Sequence, residues 1–157
     1  MALSASDHKG ALSATATALA RDALADGQTL RLRVVSGSMR PLLRRGDEVF
    51  VSPVAPAALL PGDLVVRAAP DGGFVVHRLM ARQAGMLVTR GDGLPRPDPP
   101  WPADQLAGRV GEAFRADRPI PLTAWWSRPA GRLLAGLLQV RSLGGRFLRK
   151  IGLRLHG

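Results

Sequence analysis

The chain has no cysteine and no tyrosine among its 157 residues. Without cysteine there can be no disulfide, no thiolate metal site and no cysteine nucleophile, and the redox compartment stays undetermined. Aromatic residues are limited to four Phe and three Trp, too few to stack successive bases, and no nucleic-acid-binding motif is present, so specific nucleic-acid recognition is not expected. The only lysines are Lys9 and Lys150, both in flanking segments. A serine–lysine dyad, which needs a desolvated lysine beside the nucleophile, is thereby all but removed. No stretch approaches the ~20 apolar residues that span a bilayer. The longest uncharged run near the C-terminus, Pro119 to Ser127, is followed by Arg128 and Arg132. Near the start, Asp7, His8 and Lys9 precede Ala, Ser and Thr rather than a leucine-rich core, which is unlike a secretory signal. These absences lead to the expectation of a cytoplasmic or peripheral membrane chain.

What is abundant is glycine (18), proline (13) and positive charge (net +10). The length suits one domain with appendages, and the Gly and Pro content favours turns and short strands over a helical bundle. Residues 1–10 read as disordered. Residues 11–26, rich in Ala with Leu12, Leu19 and Leu24, predict a helix ending near Gly27. From residue 29 to about 115 the pattern turns to period two and short β-branched runs. Strands are expected at 30–35, 47–52, 64–67, 74–79, 86–89 and 109–114, with a hairpin at Pro70-Asp71-Gly72-Gly73 and a Pro-rich loop over 93–102. Beyond residue 128 apolar residues return at helical spacing, from Leu133 through Leu137, Val140, Phe147 and Ile151 to Leu155. From Arg118 onward there are eight basic residues and no acidic one. The expectation is a mostly β domain over 29–116, flanked by an N-terminal tail and helix (1–28) and a basic amphipathic tail (117–157). The charge suits an acidic surface, either anionic lipid or nucleic acid, and with Trp125-Trp126 present residues 119–157 fit a membrane surface; the plain alternative is a solvated helix face.

Chemistry concentrates in the β region. Ser38 lies in Ser36-Gly37-Ser38-Met39-Arg40-Pro41, where Gly37 allows close approach of a substrate carbonyl and Pro41 fixes the following turn. The plain alternative is a serine that caps a short helix. His77, in Phe74-Val75-Val76-His77-Arg78-Leu79, is the one histidine outside the chain ends, and histidine ordinarily exchanges a proton near neutral pH. On a strand its side chain and those of its neighbours point to opposite faces. Two carboxylates can orient it. Asp92 follows Gly91 as Asp47 follows Gly46 and Asp63 follows Gly62, which is also a turn pattern. Asp98 lacks that turn context and ranks first as the third member of a triad.

Taken in order, Ser36-Gly37-Ser38-Met39-Arg40-Pro41, Gly46-Asp47, Pro61-Gly62-Asp63, His77-Arg78, Arg90-Gly91-Asp92 and Arg109-Val110-Gly111 resemble the boxes of the type I signal peptidases, whose superfamily includes the LexA-like self-cleaving repressors. The resemblance covers about residues 30–115. With His77 where the bacterial members carry lysine, it is closest to the archaeal and endoplasmic-reticulum Ser-His-Asp branch. It implies a serine endopeptidase that cuts an extended leader or signal segment of a peptide or preprotein after small residues, through an acyl-enzyme. Ser38 is then the nucleophile, His77 the base and Asp98 its orienting acid, with Asp92 as nearby support. Ser36 stands where the family places a hydroxyl donor to the oxyanion, and Met39 and Pro41 are expected at the substrate. No metal or organic cofactor is implied. The family's usual membrane anchor has no counterpart, which favours a specialised, membrane-associated processing enzyme over general signal removal. Two other readings stand beside it. One is a lapsed module that binds peptides without cutting. The other is a self-cleaving regulator, for which residues 1–28 are too short to hold a DNA-binding domain, although Ala84-Gly85 offers a small-small bond.

Overall fold

The computed structural model describes residues 5–69 and 72–122, with side chains from residue 15 onward. One helix, α1 (Ala5–Ala25), precedes eight strands: β1 (Leu30–Arg33), β2 (Glu48–Ser52), β3 (Leu64–Ala68), β4 (Phe74–Gln83), β5 (Met86–Arg90), β6 (Trp101–Pro102), β7 (Leu106–Arg115) and β8 (Arg118–Pro119). They form a single antiparallel sheet in the order β1-β2-β7-β3-β4-β5-β6, with β8 added to β7. The mostly β expectation holds, and each of the six expected strands is present.

The helix is longer than the alanine-rich pattern suggested. It begins at Ala5, so residues 5–10 are helical rather than disordered. Its end follows from one glycine: Gly27 at φ 83° closes a turn in which Gly27 N–H meets Leu24 O and Gln28 N–H meets Ala23 O. These two hydrogen bonds satisfy carbonyls that the helix itself leaves open. The helix is joined to the sheet rather than appended to it. Leu24 is buried in the main core, and Thr17 Oγ1 accepts the Gly73 N–H at 2.7 Å.

Alternation decides what the strands bury. In β2, Val49 and Val51 point inward. With Leu64 and Val66 of β3, Val110 and Ala113 of β7, Leu24 and the loop residues Met39 and Leu43, they form the main core. The opposite residue set of β3 and β4 feeds a second cluster of Leu59, Val65, Leu79, Leu87 and Trp101. The central strand β4 is therefore buried on both sides from His77 to Met80. Burying a Leu or Val side chain contributes about 1.5–3 kcal/mol, so these two clusters hold the curled sheet together. Gly108 lets β7 pass close to β2, since a Cβ there would lie 2.6 Å from Ser52 O.

One domain boundary differs from expectation. The β domain does not stop at residue 116: β8 pairs with β7, Ile120 N–H bonds to Ala113 O, and Ile120 and Leu122 pack on the main core. One compact unit thus runs to Leu122. The expected amphipathic helix and Trp125-Trp126 lie outside the described residues. Among the described residues no helix is long and apolar enough to cross a membrane. The Ala84-Gly85 pair forms the tight turn between β4 and β5, with φ of 48° and 76°, a conformation of hairpin turns and not of an extended scissile segment.

Candidate active site

The Ser38 turn is held from below by the loop after β5. Gly93 N–H donates to Ser38 O at 2.9 Å. A Cβ on Gly91 would come within 2.6 Å of that same oxygen, and one on Gly93 within 2.9 Å of Arg40 O. Glycine is needed at both positions because two backbone segments touch there. Met39 follows into the core at 2% exposure while still lining the cleft above. The far side of the turn is tied down by Asp47. Its carboxylate accepts the Arg44 N–H at 2.7 Å and both the Nε and an Nη of Arg115 at 2.8 and 2.7 Å. The Arg115 hydrogen bonds hold the Asp47 carboxyl below the usual carboxylate range, against the opposing effect of its burial, with help from the Arg44 N–H.

On β4, His77 and Arg78 leave the strand on opposite sides. His77 pairs in register with Val65, and its Nδ1 lies 2.6 Å from Asp98 Oδ2. Asp98 Oδ2 also receives the Thr89 hydroxyl at 2.6 Å, and Thr89 Oγ1 in turn accepts the Trp101 indole N–H at 2.9 Å. The backbone closes the arrangement, with Asp98 N–H on Thr89 O at 2.8 Å. An ionised carboxylate only accepts. Against an ionised Asp98, Nδ1 is the nitrogen that would donate, which would leave Nε2 of a neutral imidazole facing away from the carboxylate. The His77 and Asp98 side chains are 9% and 14% exposed, so the pair is shielded but reachable.

Arg78 meets the other aspartate. Its Nε and Nη2 bond Asp92 Oδ1 and Oδ2 at 2.8 and 2.7 Å, and Nη1 reaches Gly62 O at 2.8 Å. Both side chains are almost sealed, at 1% and 2% exposure. Asp92 is thus a ligand of Arg78 and does not touch His77. Its bidentate pair fastens the Gly91–Gly93 clamp under Ser38 to β4.

Ser38, Ser36, Met39 and His77 line one cleft of about 520 Å³, walled by apolar residues such as Val34 and Phe74. Ser36 Oγ lies 3.4 Å from Ser38 Oγ. Among the described residues this is the Ser38 hydroxyl's hydrogen bond, and none joins it to His77. Pro41, expected at the substrate, follows a cis bond from Arg40, is exposed, and lies off the cleft. The chain bends away after Met39, the other residue expected there, which does line the cleft. Thr89, Trp101 and Arg67 belong to the site but had no role in the sequence reading. Alternation on β5 marked Thr89 only as an inward residue, and nothing local ties Trp101 or Arg67 to the cleft. No group of three or more potential metal ligands occurs among the described residues.

Compared with known proteins, the sequence matches no protein-family model, and no curated protein is significantly similar to it.

Proposed function

We propose that this chain is a serine endopeptidase resembling the type I signal peptidases, cutting an extended leader or signal segment after small residues. The observation that carries the reading is the His77 Nδ1–Asp98 Oδ2 bond of 2.6 Å at the wall of a cleft that Ser38 also lines. Ser38 Oγ attacks the scissile carbonyl while His77 Nε2 takes its proton. The oxyanion is met by the Ser38 N–H and the Ser36 hydroxyl. Collapse expels the amine, which receives the proton back from His77, and leaves an acyl-enzyme on Ser38. Water activated by His77 then frees the acid. Asp98 keeps the proton on Nδ1 and stabilises the imidazolium. The Ser38–His77 hydrogen bond forms in this scheme as substrate fills the cleft, since catalytic bonds commonly tighten on binding. The open edge of β1 suits an extended peptide added as a further strand.

One observation favours a second reading. Ser38 Oγ lies 3.4 Å from Ser36 Oγ and, among the described residues, makes no hydrogen bond to His77, which a peptide-binding module without catalysis would also show. A fluorogenic peptide library with Ala at the first and third positions before the cut separates the two. Cleavage by the wild type that disappears in Ser38→Ala, by about 10⁴-fold or more, is the expected result. Binding without cleavage in both proteins leaves the binding module, and cleavage by Ser38→Ala at the wild-type rate removes the triad.

A further inference from the structure

Arg67 is the charged wall of the cleft that the proposed chemistry does not use. It sits on β3 opposite Val75, two residues beyond Val65, the register partner of His77. It therefore projects from the same sheet face as His77, at the diagonal spacing where long side chains interact. Its guanidinium carbon lies 5.7 Å from the centre of the Trp101 ring. Trp101 is itself fixed, being 3% exposed and bonded through its indole N–H to Thr89. A cation held over such a ring is attracted by the ring face, so the guanidinium is presented on a rigid plate.

Among the described residues no carboxylate meets Arg67. Arg31, Arg78, Arg109 and Arg115 each pair with an acidic side chain. No acidic side chain among the described residues pairs with Arg67, and its Nε is buried without a hydrogen-bond partner. The cleft lining adds to the imbalance. Among the described residues it includes Arg33, Arg67 and His77 but no Asp or Glu, and Arg33 lies within 3.7 Å of Glu48. A buried donor left unmade is costly, and a carboxylate offers the guanidinium fork two parallel acceptors.

We propose that Arg67 makes the cleft selective for peptides carrying an acidic side chain close to the scissile bond. The inference rests on the peptidase reading for its substrate, and it adds a specificity that small residues before the cut do not supply. A neutral carbonyl can meet one N–H of Arg67. Only a carboxylate also balances its charge, which is why an acidic residue and not merely a polar one is the ligand.

The test uses acetylated, amidated peptides with Ala at the first and third positions before the cut, so that chain termini contribute no carboxylate. Each remaining position, from the fifth before the cut to the second after it, carries Asp in one peptide and its isostere Asn in another. The expected result is an Asp over Asn preference in kcat/KM of at least about tenfold at one position, falling to about one in Arg67→Gln. Equal rates for every wild-type pair, or a preference that survives in Arg67→Gln, overturn the proposal. Should thermal unfolding show that Arg67→Gln is not folded, the wild-type ratio is followed from low to high NaCl. A ratio that falls with salt supports the charge pair, and a salt-independent one overturns it. If the wild type cuts none of the peptides, the peptidase reading fails and the same pairs are titrated against Ser38→Ala by tryptophan fluorescence. Asp-selective binding that disappears on adding Arg67→Gln then sustains the acid-selective cleft, and equal or absent binding of both members overturns it.

Discussion

His77 and Arg78 are neighbours on one strand, and each meets an aspartate from the loop that follows β5, yet the two pairs differ in what they leave over. Arg78 and Asp92 saturate one another through two parallel bonds, with Gly62 O taking a further donor, and the pair is almost without solvent. His77 and Asp98 share a single bond, and the imidazole keeps a second nitrogen. A closed pair of this kind can only hold structure. An open one, at the wall of a cleft, can exchange a proton. The same loop serves both purposes because Asp98 lies six positions after Asp92, enough for the chain to pass from under Ser38 to the far side of β4.

That contrast predicts opposite phenotypes for one substitution made twice. Asp98→Asn should lower kcat on a cleavable peptide by about 10⁴-fold, with the thermal midpoint nearly unchanged. The altered side chain no longer holds the Nδ1–H tautomer, while Thr89 still finds an acceptor. Asp92→Asn should do the reverse. Removing one charge of a buried pair costs about 3–5 kcal/mol, measured by urea unfolding, while the fraction that remains folded retains most of its activity. Equal loss of stability in both variants would break the comparison.

Gly91→Ala tests how the structural pair reaches the Ser38 side of the proposed active site. The added Cβ would lie 2.6 Å from Ser38 O, so the Ser38 turn must move. A displacement near 1 Å at a reacting group costs about 100-fold in rate, and kcat should fall by about that much with a smaller change in KM. Asp47 provides a gentler structural pair, because its partner Arg115 is 39% exposed at the side chain. Its carboxyl is held below the ordinary range, mainly by the Arg115 hydrogen bonds. The stability it contributes is therefore complete above the unfolded value near ~3.9 and is lost as pH falls through the lower folded value. Asp47→Asn should cost about 1–3 kcal/mol at neutral pH and flatten the acid limb of the stability–pH curve. An unchanged acid limb would remove Asp47 from the linkage.

Much of the fold was legible because its signals are local. Period-two alternation marked the strands, Gly27 marked the helix end, and Gly-Asp turns marked strand starts at Asp47 and Asp63. The short strands β6 and β8 were not legible. Trp101-Pro102 and Arg118-Pro119 have no alternation to show and pair only because neighbouring strands offer open edges. The extension of α1 back to Ala5 was hidden by the polar residues of that turn. In the site, Ser38 and His77 stood out by residue type and setting, and Asp98 by its lack of a turn context. Pro41 lies off the cleft because the turn after Met39 carries it away, which no local pattern shows.

By itself the sequence determined the chemical inventory: no thiol, no lysine near the middle of the chain, one central histidine, two serines flanking Gly37 on a turn, and a β pattern to carry them. Only the tertiary structure decided the partnerships. Whether Asp92 or Asp98 reaches His77 depends on how a loop packs beneath the Ser38 turn. The link from Trp101 through Thr89 to Asp98, and the unmatched Arg67 beside it, depend on the sheet curling so that β6 meets β3. Hydrogen bonds and ion pairs are set by distances of about 3 Å between residues far apart in the chain. Local pattern carries secondary structure and burial, but it carries no information on such distances.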